Sequence, residues 1–168
     1  MESNLLKIFY FRITDVWKLH CELHSELFDL TCDEYALLLD SDIEDLEKKI
    51  TQKNALLGII KKNDIERELI LEELRANNKG MAFDKISDVI EYFSDFPAEK
   101  ESKHLWRFNQ LLIDIVNKIQ DQNKKNQLFI SKAINSLRVI REEASGTKTV
   151  STYNSQGMRQ NRTLANSI

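Results

Sequence analysis

The chain has 168 residues, 30% of them charged, with only four glycines and one proline. That composition excludes a sheet protein with many turns and favours long uninterrupted helices in one domain. The net charge of −3 is uneven, since residues 146–168 hold Lys148, Arg159 and Arg162 and no acid, and the −6 body excludes nucleic acid as the main partner, which needs clustered cations.

The start, Met1-Glu2-Ser3-Asn4, lacks the basic n-region of a signal peptide, and no apolar run reaches the roughly 18 residues of a membrane span. Residues 4–40 read as the first helix: Val16, Leu19, Leu23, Leu27 and Leu30 recur at three and four, and Leu37 and Leu38 continue the face. The opening Ile8-Phe9-Tyr10-Phe11 is apolar all round, as a buried helical turn or a docked extended segment would be, and helix is the reading adopted. Thr31-Cys32-Asp33-Glu34 has the capping-box pattern, yet the apolar face crosses it without glycine or proline, so the helix is read as continuous. Cys21 and Cys32 would lie roughly 16 Å apart along its axis, too far to bridge. They read as reduced thiols of a cytoplasmic protein.

Ser41-Asp42-Ile43-Glu44 is the better box, with acids that suit a helix N-terminus. It predicts a tight antiparallel hairpin, with a bent continuous helix as the alternative. The second helix, 41–78, repeats every seven residues: Ile43, Ile50, Leu57 and Leu71 at one seam position, Leu46, Ile60 and Leu74 at the other. Lys53, Asp64 and Arg67 interrupt the seam. At this length the helix spans roughly 55 Å and needs partners along it.

Asn77-Asn78-Lys79-Gly80 ends that helix, with Gly80 as the expected left-handed cap. Ile86, Val89, Ile90 and Phe93 predict a short helix within 83–93, closed by Asp95-Phe96-Pro97-Ala98. Residues 99–144 read as the third long helix. Leu105, Phe108, Leu112, Ile115 and Ile119 form one stripe, and Phe129, Ile130, Ala133, Ile134, Leu137 and Ile140 another. Between them the polar run 120–127 falls opposite Thr51 to Asn54 if this helix is antiparallel to the second. It fits a polar layer with Lys53 that fixes register, or a solvated segment. From Thr147 the chain is rich in Ser, Thr, Asn and Gln, with Tyr153 its single aromatic. Too little apolar surface remains there to offset ordering entropy, so a mobile tail is expected.

In three blocks the chain resembles the FlgN family of flagellar type III export chaperones. The first is Leu27 to Leu57, where Glu34, Asp42 and Lys53 punctuate leucine-rich helices. The second is Asn123-Lys-Lys-Asn126 and the apolar residues after it, similar to the family's paired asparagines. The third is Thr152-Tyr153-Asn154-Ser155-Gln156-Gly157, similar to a Thr-Tyr-Asp-x-x-Gly tail with Asn154 in place of the Asp. The resemblance implies a cytoplasmic helical-bundle chaperone for the hook-associated proteins FlgK and FlgL, which stops premature assembly and delivers them to the export gate. It also implies that Tyr153 docks on the cytoplasmic domain of the gate protein FlhA.

His20, Cys21, His24 and Cys32 invite a metal reading, but the cysteines are three turns apart and nothing completes a site. No Gly-rich phosphate loop or nucleophile–base pattern supports catalysis, so neither an enzyme nor a cofactor is expected. The stripe Phe129 to Ile140 fits bundle core, or a face held open for a client helix with Val139 and Arg141 at its rim. Tyr153 fits an inert tail residue or a single anchor on a tether. The expectation is an all-α, elongated antiparallel hairpin or three-helix bundle over 1–145, with a short connecting helix and a flexible tail over 146–168. The rival reading is a structural coiled-coil adaptor or oligomerising scaffold with no export role, which would not need the tail.

Overall fold

The computed structural model describes residues 2–78, 83–145, 147–153 and 159–165, the last two segments as backbone. The elements in order are α1 (Glu2–Asp40), α2 (Ile43–Asn77), α3 (Ile86–Phe93), α4 (Pro97–Ser102), α5 (His104–Ser145), β1 (Thr147–Tyr153) and β2 (Arg159–Ala165). The chain falls into two compact units, Met1–Lys125 and Asn126–Ile168.

The first unit is a helical bundle. Ion pairs from Arg12 to Glu73, Asp33 to Lys49 and Glu34 to Lys53 recede in opposite directions along α1 and α2, so the two helices are antiparallel. Cys21 Sγ donates to the Phe108 carbonyl at 3.2 Å, and Lys53 Nζ donates to Asn123 Oδ1 at 3.3 Å. The first part of α5 therefore runs alongside α1 and antiparallel to α2. Its stripe Leu105 to Ile119 packs into the core as the spacing predicts.

The seam of α2 differs from the expected one. Ile43, Ile50 and Leu57 are exposed, while Leu56, Ile60, Asn63, Ile70, Leu71 and Leu74 are buried. The series through Leu46, Lys53, Ile60, Arg67 and Leu74 does face the bundle, but its companion series runs through Lys49, Leu56, Asn63 and Ile70. Polar residues on that seam are admitted because each has a partner on α1. Lys49 meets Asp33 at 2.7 Å, and Asn63 Nδ2 donates to the Val16 carbonyl at 3.2 Å. A seam found by apolar residues alone is misplaced by one phase when satisfied polar groups occupy it. On α1 too a polar residue takes a seam position, with His20 buried and Leu19 beside it exposed.

The α1–α2 turn is the expected hairpin, closed without glycine. Ser41 adopts φ 58°, and two hydrogen bonds, Asp42 N–H to the Leu37 carbonyl and Ser41 N–H to the Leu38 carbonyl, form a Schellman closure. Asp42, not Ser41, then caps α2, accepting from the Asp45 N–H at 3.1 Å. Thr31 does not cap. Its hydroxyl donates to the Leu27 carbonyl at 2.7 Å, so α1 continues through it. The opening of α1 is helical and half-sunk, with Phe9 and Tyr10 buried and Ile8 and Phe11 exposed. The expected cap at Gly80 lies outside the described residues.

The third long helix begins later than its sequence suggests. Lys103 takes a left-handed φ of 50° and separates α4 from α5. Glu99, buried on α4, accepts from Tyr10 Oη at 2.9 Å, from the Leu105 N–H at 3.0 Å and from the Trp106 N–H at 3.1 Å. Its carboxylate thus caps α5 from a distance and ties α1 to it. Burial, and secondarily Glu99, pushes the Tyr10 pKa up to about 12. Phe93, edge-on, and the tilted ring of Phe96 pack against the Tyr10 ring.

Two apolar clusters form the core of this unit, one around Phe9, Tyr10, Leu74 and Phe93, the other around Leu23, Leu27, Leu56 and Ile60. His20 lies on the α1 seam between Trp17 and Leu23, buried, with neither ring nitrogen hydrogen-bonded among the described residues. Its Nε2 is 3.3 Å from Asp64 Oδ1 of α2, a carboxylate also engaged by Arg67 at 3.1 Å. Burial lowers the His20 pKa, helped by His24 and Arg67 and opposed by Asp64. The unfolded chain therefore takes up this proton first as pH falls below about 6.5, so the group's stability contribution is full above that value and lost toward the lower folded pKa. The melting temperature is expected to drop between pH 7 and 5, with the slope flattened in His20→Phe. An identical slope in that variant would reject His20 as its source.

Candidate functional site

The polar run of α5 meets α1 and α2 as one layer. Lys53 Nζ donates to Glu34 Oε2 at 2.7 Å, with the two side chains only 17% and 12% exposed. The Lys53 contact with Asn123 extends the layer to α5. Asn126, one turn on, is buried too. Within residues 120–127 the layer contact is made by Asn123, at the register the sequence predicts, while Gln120, Asp121, Lys124, Lys125 and Gln127 are exposed, as a solvated segment would be. Low exposure strengthens the pair electrostatically, while the amide of Asn123 satisfies a further ammonium proton.

Up to Asn126, the buried or half-buried positions of α5 recur at three and four: Leu105, Phe108, Leu112, Ile115, Ile119, Gln122 and Asn126. The pattern runs on through Phe129, Ala133 and Ile140, but the burial does not. Phe129 is half-buried and Ile130 and Ala133 are exposed. Ile134, Leu137 and Ile140 are 61%, 66% and 60% exposed. Apolar side chains at these levels are neither core nor an ordinary solvated face, because they recur on one arc of the helix. At about 100° per residue, Ile130, Ala133, Ile134, Leu137, Ile140 and Arg141 all lie within about 60° of Leu137. Arg141 falls about 40° from Leu137, inside the arc between Leu137 and Ile134 and not at its rim. Val139 is not at the rim either, since the same geometry puts it about 160° from Leu137.

Tyr153 ends β1. The strands pair antiparallel from Thr147↔Ala165 to Tyr153↔Arg159. The β-branched run Thr147, Thr149, Val150 and Thr152, followed by Asn154 and Gly157, is the sequence signal for this hairpin that a purely compositional reading passes over. An isolated two-stranded ribbon is marginal in water, so the ladder adds little rigidity by itself. The rest of the Tyr153 block, from Asn154 to Gly157, lies outside the described residues.

The sequence model of the FlgN protein family matches residues 10–161. The chain belongs to the FlgN family. No curated protein and no solved structure matches it. FlgN-family proteins are chaperones of flagellum assembly that serve type III export, and this chain has that general role. The FlgN match spans both the polar layer and the open stripe. Within this FlgN-family chain, the punctuating residues of the first two blocks have structural work: Glu34, Lys53 and Asn123 make the layer, and Asp42 caps α2.

The histidines and cysteines of this FlgN-family chain do not assemble. Cys21 is spent on the Phe108 carbonyl, and His24 Nδ1 lies 2.8 Å from the His20 carbonyl. Burial raises the thiol pKa of both cysteines, which holds them as thiols. Among the described residues no group of three or more metal-ligating side chains converges, and no helix is long and apolar enough to cross a membrane.

Proposed function

We propose that the protein is the cytoplasmic export chaperone of hook-associated proteins of the FlgK and FlgL type. Residues 1–145 form the holding body and 146–168 the delivery tail. The face Phe129, Ile130, Ala133, Ile134, Leu137 and Ile140 covers an apolar helical segment of the client, and Tyr153 docks on a gate protein of the FlhA type. One observation carries the reading: the α5 seam keeps its spacing past Asn126 while its apolar side chains lie open. A helix that retains knobs without holes is complementary to another helix. Asn123 and Asn126 act as the boundary between the closed and the open part of that seam.

Ile134→Asp with Leu137→Asp is expected to weaken client binding more than a hundredfold, because two apolar anchors worth about 1.5–3 kcal/mol each are replaced by charges. Circular dichroism should remain helical, since both side chains are exposed. Loss of the helical signal would instead make them core. Tyr153→Ala should keep client binding and abolish gate binding in pulldowns, and equal loss of both rejects the division of labour. A coiled-coil adaptor without an export role predicts no effect of deleting 147–168 on delivery.

A further inference from the structure

We propose that the open α5 face is built for an amphipathic helix bordered on one side by carboxylates, read by Arg138 and Arg141. This rests on the face being the client site and adds the chemistry of what it accepts. The occupant is a helix because the stripe keeps helical spacing over Phe129 to Ile140, roughly 17 Å, or about three turns of a partner.

The charge on the two edges is unequal. Taking Leu137 as the centre, Arg141 and Arg138 fall about 40° and 100° to one side, flanking Ile134. At matching angles on the other side lie Ala133, Phe129 and Ser136, all uncharged. Both arginines are exposed. Neither makes an ion pair among the described residues, as is also true of the exposed Arg107, whereas Arg12, Arg67 and Arg75 each engage a carboxylate or carbonyl. Guanidinium groups without an ion pair among the described residues, one within and one beside an apolar strip, are positioned for bidentate contact with carboxylates of a docked helix. Arg138 and Arg141 are three residues apart, the spacing at which two acids on one face of a client helix would meet them. One-sided charge also fixes direction. In one orientation the acidic border of the client meets the arginines, and in the reverse orientation it faces Ser136 and gains nothing.

The test uses the full chain and three synthetic helical peptides with one shared leucine face and Glu, Gln or Lys along one edge, read by fluorescence anisotropy. The Glu-edged peptide is expected to bind about tenfold tighter than the Gln-edged one, and the Lys-edged peptide weaker than both, with differences shrinking as salt rises. Arg138→Glu with Arg141→Glu should invert that order. Arg138→Gln with Arg141→Gln should abolish the preference, and it guards against a folding defect of the reversal. Equal affinities for all three peptides, or an order that survives reversal, overturns the proposal. If the Gln-edged peptide binds through Ile134 and Leu137 without an acidic preference, only the charge reading falls. If no peptide binds, the client face falls with it.

Discussion

Glu99→Ala is expected to destabilise the protein by about 3–5 kcal/mol, one of the largest effects of any single truncation. Three donors converge on this carboxylate: the Tyr10 hydroxyl and the N–H groups of Leu105 and Trp106. Each buried donor left without an acceptor costs about 1–3 kcal/mol. Water offsets part of that. A cleft of about 260 Å³ lined by Ile90, Ser94, Lys100, Lys103 and Trp106 opens beside Glu99, so solvent can reach the vacated position. The loss has two structural components: α5 is deprived of the group that substitutes for a local cap, and the start of α1 loses its polar tie to α4. For a chain of this size the melting temperature should fall by about 10 °C or more. Glu99→Gln keeps one acceptor oxygen and should lose less than half as much. A thermal melt of Glu99→Ala within about 3 °C of the parent protein would falsify the capping role.

How far the sequence reveals this architecture depends on what each signal measures. The α1–α2 hairpin was legible because Asp40-Ser41-Asp42 supplies cap chemistry, although the left-handed Ser41 was not, since serine carries no strong preference for that conformation. The break before α5 was hidden for the same reason. Glu99 to His104 are tolerable helix formers, and the left-handed Lys103 is stabilised by tertiary contacts of Glu99. The phase of α2 was half right. Apolar periodicity picked Ile43, Ile50 and Leu57 because it cannot recognise Lys49 and Asn63 as seam residues, and what admits them is Asp33 and a backbone carbonyl on a helix distant in sequence.

The candidate site shows the converse. Its residues were legible from spacing, but spacing is the same whether a stripe is buried or open. Exposure of Ile134, Leu137 and Ile140 is the information that the sequence lacks. The polar layer lies between these cases. Its register followed from the antiparallel arrangement, while its membership needed Glu34, which reads in sequence as one acid among many.

That layer supports the second large effect. Lys53→Met should cost about 2–3 kcal/mol, read as a lower urea midpoint at unchanged slope. The ammonium neutralises Glu34 at 2.7 Å and donates to Asn123 at 3.3 Å. Its removal leaves a carboxylate side chain that is only 12% exposed without its cation. A fully buried orphaned charge costs about 3–5 kcal/mol, and residual solvent access around both partners reduces that figure. Removing the carboxylate as well reverses the logic. Glu34→Met with Lys53→Met replaces an ion pair by apolar groups of similar length, and should return to within about 1 kcal/mol of the parent. If the double variant is no more stable than Lys53→Met, then the pair is not what holds these positions. Register should persist in the double variant, because Lys49 with Asp33, Asn63 with the Val16 carbonyl and Glu99 with Tyr10 also tie the helices at fixed heights.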